Sequence, residues 1–94
     1  MKTINYIKDL NNNISGEVLE ELGNSSNWLD KIFVAKHTNT TNKVLTMLSK
    51  ENNGLIRMAV LKNENITLKI LKEMLEIEKD ETIIKEILKK MRIK

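Results

Sequence analysis

The sequence predicts an all-α protein, a short α-solenoid of about three helical-hairpin repeats with a capping helix at each end. Three observations predict it. Laid on itself at an offset of 26 residues, the 94-residue chain matches: Asn13, Ile14, Ser15, Val18, Leu19, Leu22 fall on Asn39, Thr40, Thr41, Val44, Leu45, Leu48, and these on Asn65, Ile66, Thr67, Ile70, Leu71, Met74. A period in this range is the mark of stacked repeats, none of which buries its apolar face alone. There is no proline and there are only three glycines, too little punctuation for the many turns of a β-sheet protein. Finally, the apolar residues recur at i, i+1 and i+4, the spacing of one helical face.

The elements follow in order. Residues 1–12 are assigned to an N-terminal cap, with Ile4, Ile7 and Leu10 on one side of a helix over 2–10. Repeat 1 spans 13–38, repeat 2 spans 39–64, and 65–94 holds repeat 3 with a C-terminal capping helix. Ser15, Thr41 and Thr67 precede the triplets Val18/Leu19/Leu22, Val44/Leu45/Leu48 and Ile70/Leu71/Met74. Their hydroxyls are suited to accept from the orphan amides of a first turn, so each starts an amphipathic helix. Asn27 and Asn53 are the corresponding caps of a second helix, and Asp30 stands at the capping-box distance from Asn27. The second helices share apolar residues on more than one face, among them Leu29/Leu55, Ile32/Met58 and Val34/Val60. They are expected to lie between neighbours. Asp80 and Glu81 open the last helix, which carries Ile83, Ile84, Ile87, Leu88 and Met91. About seven helices result.

Polar elbows join the repeats at 37–41 and 63–67, and Asn is their recurrent residue. Asn tolerates left-handed backbone and ties down nearby amides with its side chain, so Asn13, Asn39 and Asn65 are read as a structural ladder. His37, the one histidine, takes the place that Asn11 and Asn63 hold in the other registers, and is read as an imidazole replacing an amide. Lys31 and Arg57 coincide at the offset of 26, and are expected to lay their stems over apolar surface while the charge reaches solvent. Trp28, at the edge of a helix where the next repeat has Gly54, is expected to be buried, with an exposed anchor as the alternative. Glu76, Glu78, Asp80 and Glu81 gather at the last turn and are read as solvated acids at a helix start.

The segment Leu55-Ile56-Arg57-Met58-Ala59-Val60-Leu61-Lys62-Asn63-Glu64-Asn65-Ile66-Thr67-Leu68-Lys69-Ile70-Leu71 resembles the leucine-rich repeat variant family, a relative of HEAT and armadillo repeats whose units approximate V-R-x-A-V-A-x-N-P-N-T-P-x-x-V-L-x-x-L-A. Ile56, Arg57, Ala59, Val60, Asn63, Asn65, Ile70 and Leu71 fall on the matching places, and the likeness covers about residues 11–78. It implies a right-handed superhelix of helices. Thr38 and Glu64 stand where the family has its first proline, and Asp30 where an aliphatic is usual. The iron–sulfur cluster of the family's founding member sits on appended cysteines and does not carry over to a chain with none.

Composition bounds the function. Hydrophobic residues at 40% fit a folded chain, while uncharged apolar runs no longer than Ile32–Ala35 leave no membrane segment. Without cysteine and with a single histidine, thiolate and multi-histidine metal sites are excluded, and no cofactor is expected. The N-terminal residues lack the apolar core of a signal peptide, so the location expected is cytoplasmic, and the abundance of Ile, Lys and Asn points to a bacterium of low GC content. The expected role is non-catalytic: a scaffold whose outward side chains Glu17, Glu20, Glu21, Lys43, Thr46, Lys69, Lys72 and Glu73 meet a protein partner. The alternative is a nucleic-acid-binding module. The net charge of +3 lies wholly in the second half, and Lys31, Arg57, Lys85, Lys89, Lys90 and Arg92 would then meet phosphates.

Overall fold

Each helix begins where a side-chain oxygen is offered to its first turn. The computed structural model describes residues 14–93, which form α1 (Gly16–Gly23), α2 (Trp28–Lys36), α3 (Asn42–Leu48), α4 (Gly54–Leu61), α5 (Leu68–Ile77) and α6 (Glu81–Ile93), with no strand among them. The Ser15, Thr41 and Thr67 hydroxyls accept from the amides of Val18, Val44 and Ile70 at 3.2–3.3 Å. Asn27 Oδ1 accepts from Leu29 N–H at 2.9 Å and Asn53 Oδ1 from Leu55 N–H at 2.8 Å. Asp80 Oδ1 takes both Thr82 N–H and Ile83 N–H, at 2.8 and 3.2 Å. Such caps contribute about 1 kcal/mol each, which matters for helices of only two to four turns.

The apolar stripes then decide the packing. α2 lies against α1, α3 and α4, and α4 in turn against α6, so that α2, α4 and α6 form one contiguous layer; α1 and α3 pack on it from one side, and α5 packs on α6. Leu19, Leu45 and Leu71 are fully buried between the two sets of helices, as are Leu48 and Met74, with Leu22 nearly so. Val34, Val60 and Ile87 are fully buried at matching places in the second set, and Ile56 and Ile83 continue their row. In α6 the matching residues come 27 positions after those of α4 instead of 26, because α5 and its exit turn are one residue longer. The Cα radius of gyration, 12.9 Å, is that of a compact chain of this length, about 13 Å for 100 residues.

Gly23 marks a close approach. A Cβ there would stand 3.1 Å from Val44 Cγ1 and 3.5 Å from Met47 Cε, so a side chain at the end of α1 would require Val44 to shift by a few tenths of an ångström.

Two expectations are corrected. Six of the about seven expected helices lie among the described residues; the remaining one, expected over 2–10 with Ile4, Ile7 and Leu10, and the rungs Asn11 and Asn13 fall outside them. Leu29 and Leu55 do not lie between neighbours but are 52% and 60% exposed, because the side of α2 and α4 that carries them faces away from every other described helix. Trp28 is exposed as well, at 45%.

Candidate functional site

The turns between helix pairs hold the buried polar residues His37, Thr40 and Asn63, each with its own hydrogen bonds. Asn63, 1% exposed, accepts from Asn65 N–H through Oδ1 at 2.8 Å. Its Nδ2 donates to Ala35 O and His37 O, both at 2.9 Å, which ties the α4–α5 turn to the α2–α3 turn. His37, 26 positions earlier and also buried, accepts from Asn39 N–H through Nδ1 at 3.0 Å and so does the work of the amide oxygen. Its Nε2 is buried with no hydrogen-bond partner among the described residues, and its ring stands 5.6 Å from that of Phe33. The expected ladder is present at Asn39, whose Nδ2 donates to Ile14 O at 3.2 Å, and at Asn65, which donates to Thr38 O at 2.9 Å. Both are exposed residues, however, and the buried member of each turn is the residue two positions earlier.

Asp30 is buried for a related reason. Ser25 Oγ donates to Asp30 Oδ2 at 3.0 Å while accepting from Asn27 N–H at 3.0 Å, so the capping box of α2 closes through the intervening serine.

Lys31 and Arg57 are not free cations. Lys31 Nζ donates to Glu51 Oε2 at 2.9 Å. Arg57 makes a two-pronged pair with Glu78, Nε to Oε1 at 2.8 Å and Nη2 to Oε2 at 2.9 Å, and its Nη1 donates to Glu51 O and Asn52 O. The Glu78 side chain is 3% exposed and also accepts from Asp80 N–H. The hydrogen bond from Arg57 holds the Glu78 carboxyl below the ordinary glutamate range against the opposing effect of burial, and Glu78 raises Arg57 in return. Two expectations change accordingly: the Arg57 charge is turned inward, and Glu78 is a structural anchor, not a solvated acid. The pair holds together α4, the loop before it and the loop before α6.

The predicted partner-binding residues are distributed over the outer sides of α1, α3 and α5. Lys43, Thr46, Lys69 and Glu73 come together on a groove of about 480 Å³ between α3 and α5. Glu20 reaches its rim through a loose 3.6 Å pair with Lys43, both side chains well exposed, a contact that contributes little in water. Glu17, Glu21 and Lys72 are exposed and do not line it. Thr46 Oγ1 is spent on Asn42 O at 2.7 Å. Of the predicted nucleic-acid contacts, Lys85, Lys89 and Arg92 are exposed and Lys90 is half-buried, whereas Lys31 and Arg57 have the partners just described.

The opposite side of the molecule carries the more distinctive surface. On α2 and α4, Leu29 and Leu55 stand exposed, Ile32 and Met58 are half-buried one turn on, and Lys36 and Lys62 follow at the C-terminal ends. Ile32, Lys36, Leu55, Met58 and Lys62 line a shallow groove of about 160 Å³ between the two helices. A second groove of about 440 Å³ lies on the far side of Leu55 and Met58, bounded by Asp80, Thr82 and Ile83 of the next helix. Leu55 and Met58 therefore form a ridge with a depression on each flank. In α6, Lys85 and Lys89 continue the rows begun by Ile32/Met58 and Lys36/Lys62. Lys36, Lys62, Lys85 and Lys89 form no ion pair among the described residues.

Lys36 and Lys62 are absent from the predicted sets, although a signal for them existed: they coincide at the same offset of 26 as Lys31 and Arg57. The chain matches no protein-family model, no curated protein and no solved structure.

Proposed function

We propose that this chain is a non-catalytic scaffold that binds a protein partner, and that the partner docks on the α2–α4 side. In this reading the fold is a short right-handed α-solenoid of period 26, akin to the leucine-rich repeat variant and HEAT-like arrays. The support for the repeat reading is the recurrence of one job at the offset of 26, with Ser15, Thr41 and Thr67 as caps and His37 and Asn63 as acceptors in the turns; Lys31–Glu51 and Arg57–Glu78 recur as helix-to-loop clasps whose cations keep that offset and whose acids stand one residue further apart. The observation that carries the function is the cluster Trp28, Leu29 and Leu55, exposed at 45%, 52% and 60%. Exposed apolar side chains beside a polar rim mark interaction sites, and tryptophan is enriched among the residues that anchor interfaces. His37, the histidine a catalytic reading would draw on, is committed to its turn.

The full chain, immobilised, is the bait, and the bound protein is identified by mass spectrometry. Leu29→Glu with Leu55→Glu is expected to abolish capture with the helix content intact, since neither side chain is in the core. The outer-face variant Glu20→Lys with Lys72→Glu is expected to leave it unchanged. Loss of capture in the outer-face variant alone would move the site to the α3–α5 groove, and capture that survives both would overturn the reading.

A further inference from the structure

We infer that the occupant of the α2–α4–α6 face is an acidic amphipathic helix of the partner, lying crosswise over the three helices with its carboxylates above their C-terminal ends. The inference rests on the scaffold reading and adds the chemistry of what is bound.

Three rows cross this face. The first, at the N-terminal ends, is Leu29 and Leu55 and then Thr82; the second is Ile32 and Met58 and then Lys85; the third is Lys36, Lys62 and Lys89. Apolar character thus gives way to positive charge along α2 and α4 in the same direction, and α6 adds Lys85 and Lys89 to the second and third rows. Asp80, which caps α6, and Glu81, which opens it, sit at the other end. A helical C-terminus favours a cation, which accounts for one lysine at an end. It does not account for lysines that border an apolar groove on two successive helices and stay without a carboxylate partner among the described residues. An occupant with an apolar stripe and a flanking row of acids satisfies both halves of the surface at once.

The spacing selects a helix. Packed helices stand about 8–10 Å apart, and a helix rises about 1.5 Å per residue, so one laid crosswise meets a new ridge roughly every six or seven residues. That is the interval at which an amphipathic helix returns to the same face. Its apolar side chains would enter the depressions on either side of the Leu55–Met58 ridge, which are too shallow to take more than side chains. Nucleic acid fits less well, because the apolar Leu29, Ile32, Leu55 and Met58 do not pair with phosphates and Trp28 is the one exposed aromatic ring among the described residues.

The test uses the full chain and a fluorescein-labelled synthetic peptide of about 21 residues, with leucines at i, i+3 and i+7 spacing and glutamates along one flank. Two further probes are the same peptide with every glutamate changed to lysine and a labelled 20-base-pair duplex DNA. Fluorescence anisotropy is expected to show saturable binding of the acidic peptide alone. Lys36→Glu with Lys62→Glu should weaken it at least tenfold, and Leu55→Glu should do the same at high salt, where the charge contribution is screened. Equal binding of the lysine peptide, no binding of the acidic one, or no effect of the Lys36/Lys62 reversal overturns the inference, while capture of a partner in the pull-down still sustains the scaffold reading. Tighter binding of the duplex, steeply weakened by salt, overturns it in favour of nucleic acid.

Discussion

Asn63→Ala tests the claim that the turns, and not only the leucine stripes, hold the stack together. The Asn63 side chain makes three hydrogen bonds while 1% exposed. His37 O keeps a second partner, Thr40 N–H at 3.2 Å, after the substitution. Ala35 O and Asn65 N–H have none to fall back on among the described residues. Two groups are therefore orphaned, and each buried orphan costs about 1–3 kcal/mol, so the change should destabilise the chain by roughly 2–5 kcal/mol, depending on how far water replaces the lost amide. A domain of this size is stable by only about 5–14 kcal/mol, and the loss is large on that scale. Urea unfolding followed by far-ultraviolet circular dichroism reads it as a lower midpoint at unchanged slope. Asn65→Ala is the internal control: it removes one exposed bond to Thr38 O and should cost below about 1 kcal/mol. An Asn63→Ala penalty no larger than that of Asn65→Ala would refute the reasoning.

Other outcomes follow from the same contacts. Leu45, fully buried, should cost about 2–5 kcal/mol on change to Ala, measured by the same unfolding curves. The Glu78 carboxyl is held below its ordinary range by Arg57, so its contribution to stability is complete above about pH 4.3 and is lost as the pH falls through its lowered folded value. The stability difference between the wild type and Glu78→Gln should accordingly shrink as urea titrations are taken from pH 6 to pH 2, and a difference that grows with acid would show the pair to be misassigned. Trp28 should be quenched by acrylamide at a rate near that of an exposed indole, with Trp28→Ala shifting the unfolding midpoint little; a strongly protected emission would place the ring in a contact that the fold does not contain.

The helices were legible because each obeys a rule local to the sequence. Ser15, Thr41, Thr67, Asn27, Asn53 and Asp80 each cap within three residues of where they stand, and the buried leucines follow the spacing of a single helix face. The clasp between Arg57 and Glu78 was not legible in that way. Its partners are 21 residues apart and belong to different helix pairs, so nothing in the neighbourhood of Arg57 distinguishes it from a solvated cation. Asn63 was passed over for Asn65 because both lie in the same elbow, and only packing decides which of the two amides is enclosed. The one-residue lengthening before α6 likewise broke the offset at which Lys89 lines up with Lys36 and Lys62.

The misreading of Leu29 and Leu55 has a more general cause. Apolar periodicity reports how much of a helix avoids water, but not whether the cover comes from the same chain. In α1 and α3 the apolar stripe is matched by buried leucines, and the remaining sides are charged or polar apart from Met47. In α2 and α4 the apolar positions exceed what the stack encloses: Val34, Ala35, Ile56, Val60 and Leu61 fill the interior, and Leu29 and Leu55 are left over on the side turned away. At about 25 cal/mol per Å², side chains of this size left in water forgo on the order of 1–2 kcal/mol each, whereas a charged residue at either position would keep the helix and improve solubility. An excess of apolar residues that recurs at the same place on two successive helices is thus a cost to the isolated chain. In the proposed reading the physical gain that offsets it is burial against another molecule, and the lysines beside the leucines are what argue for the chemistry that molecule brings.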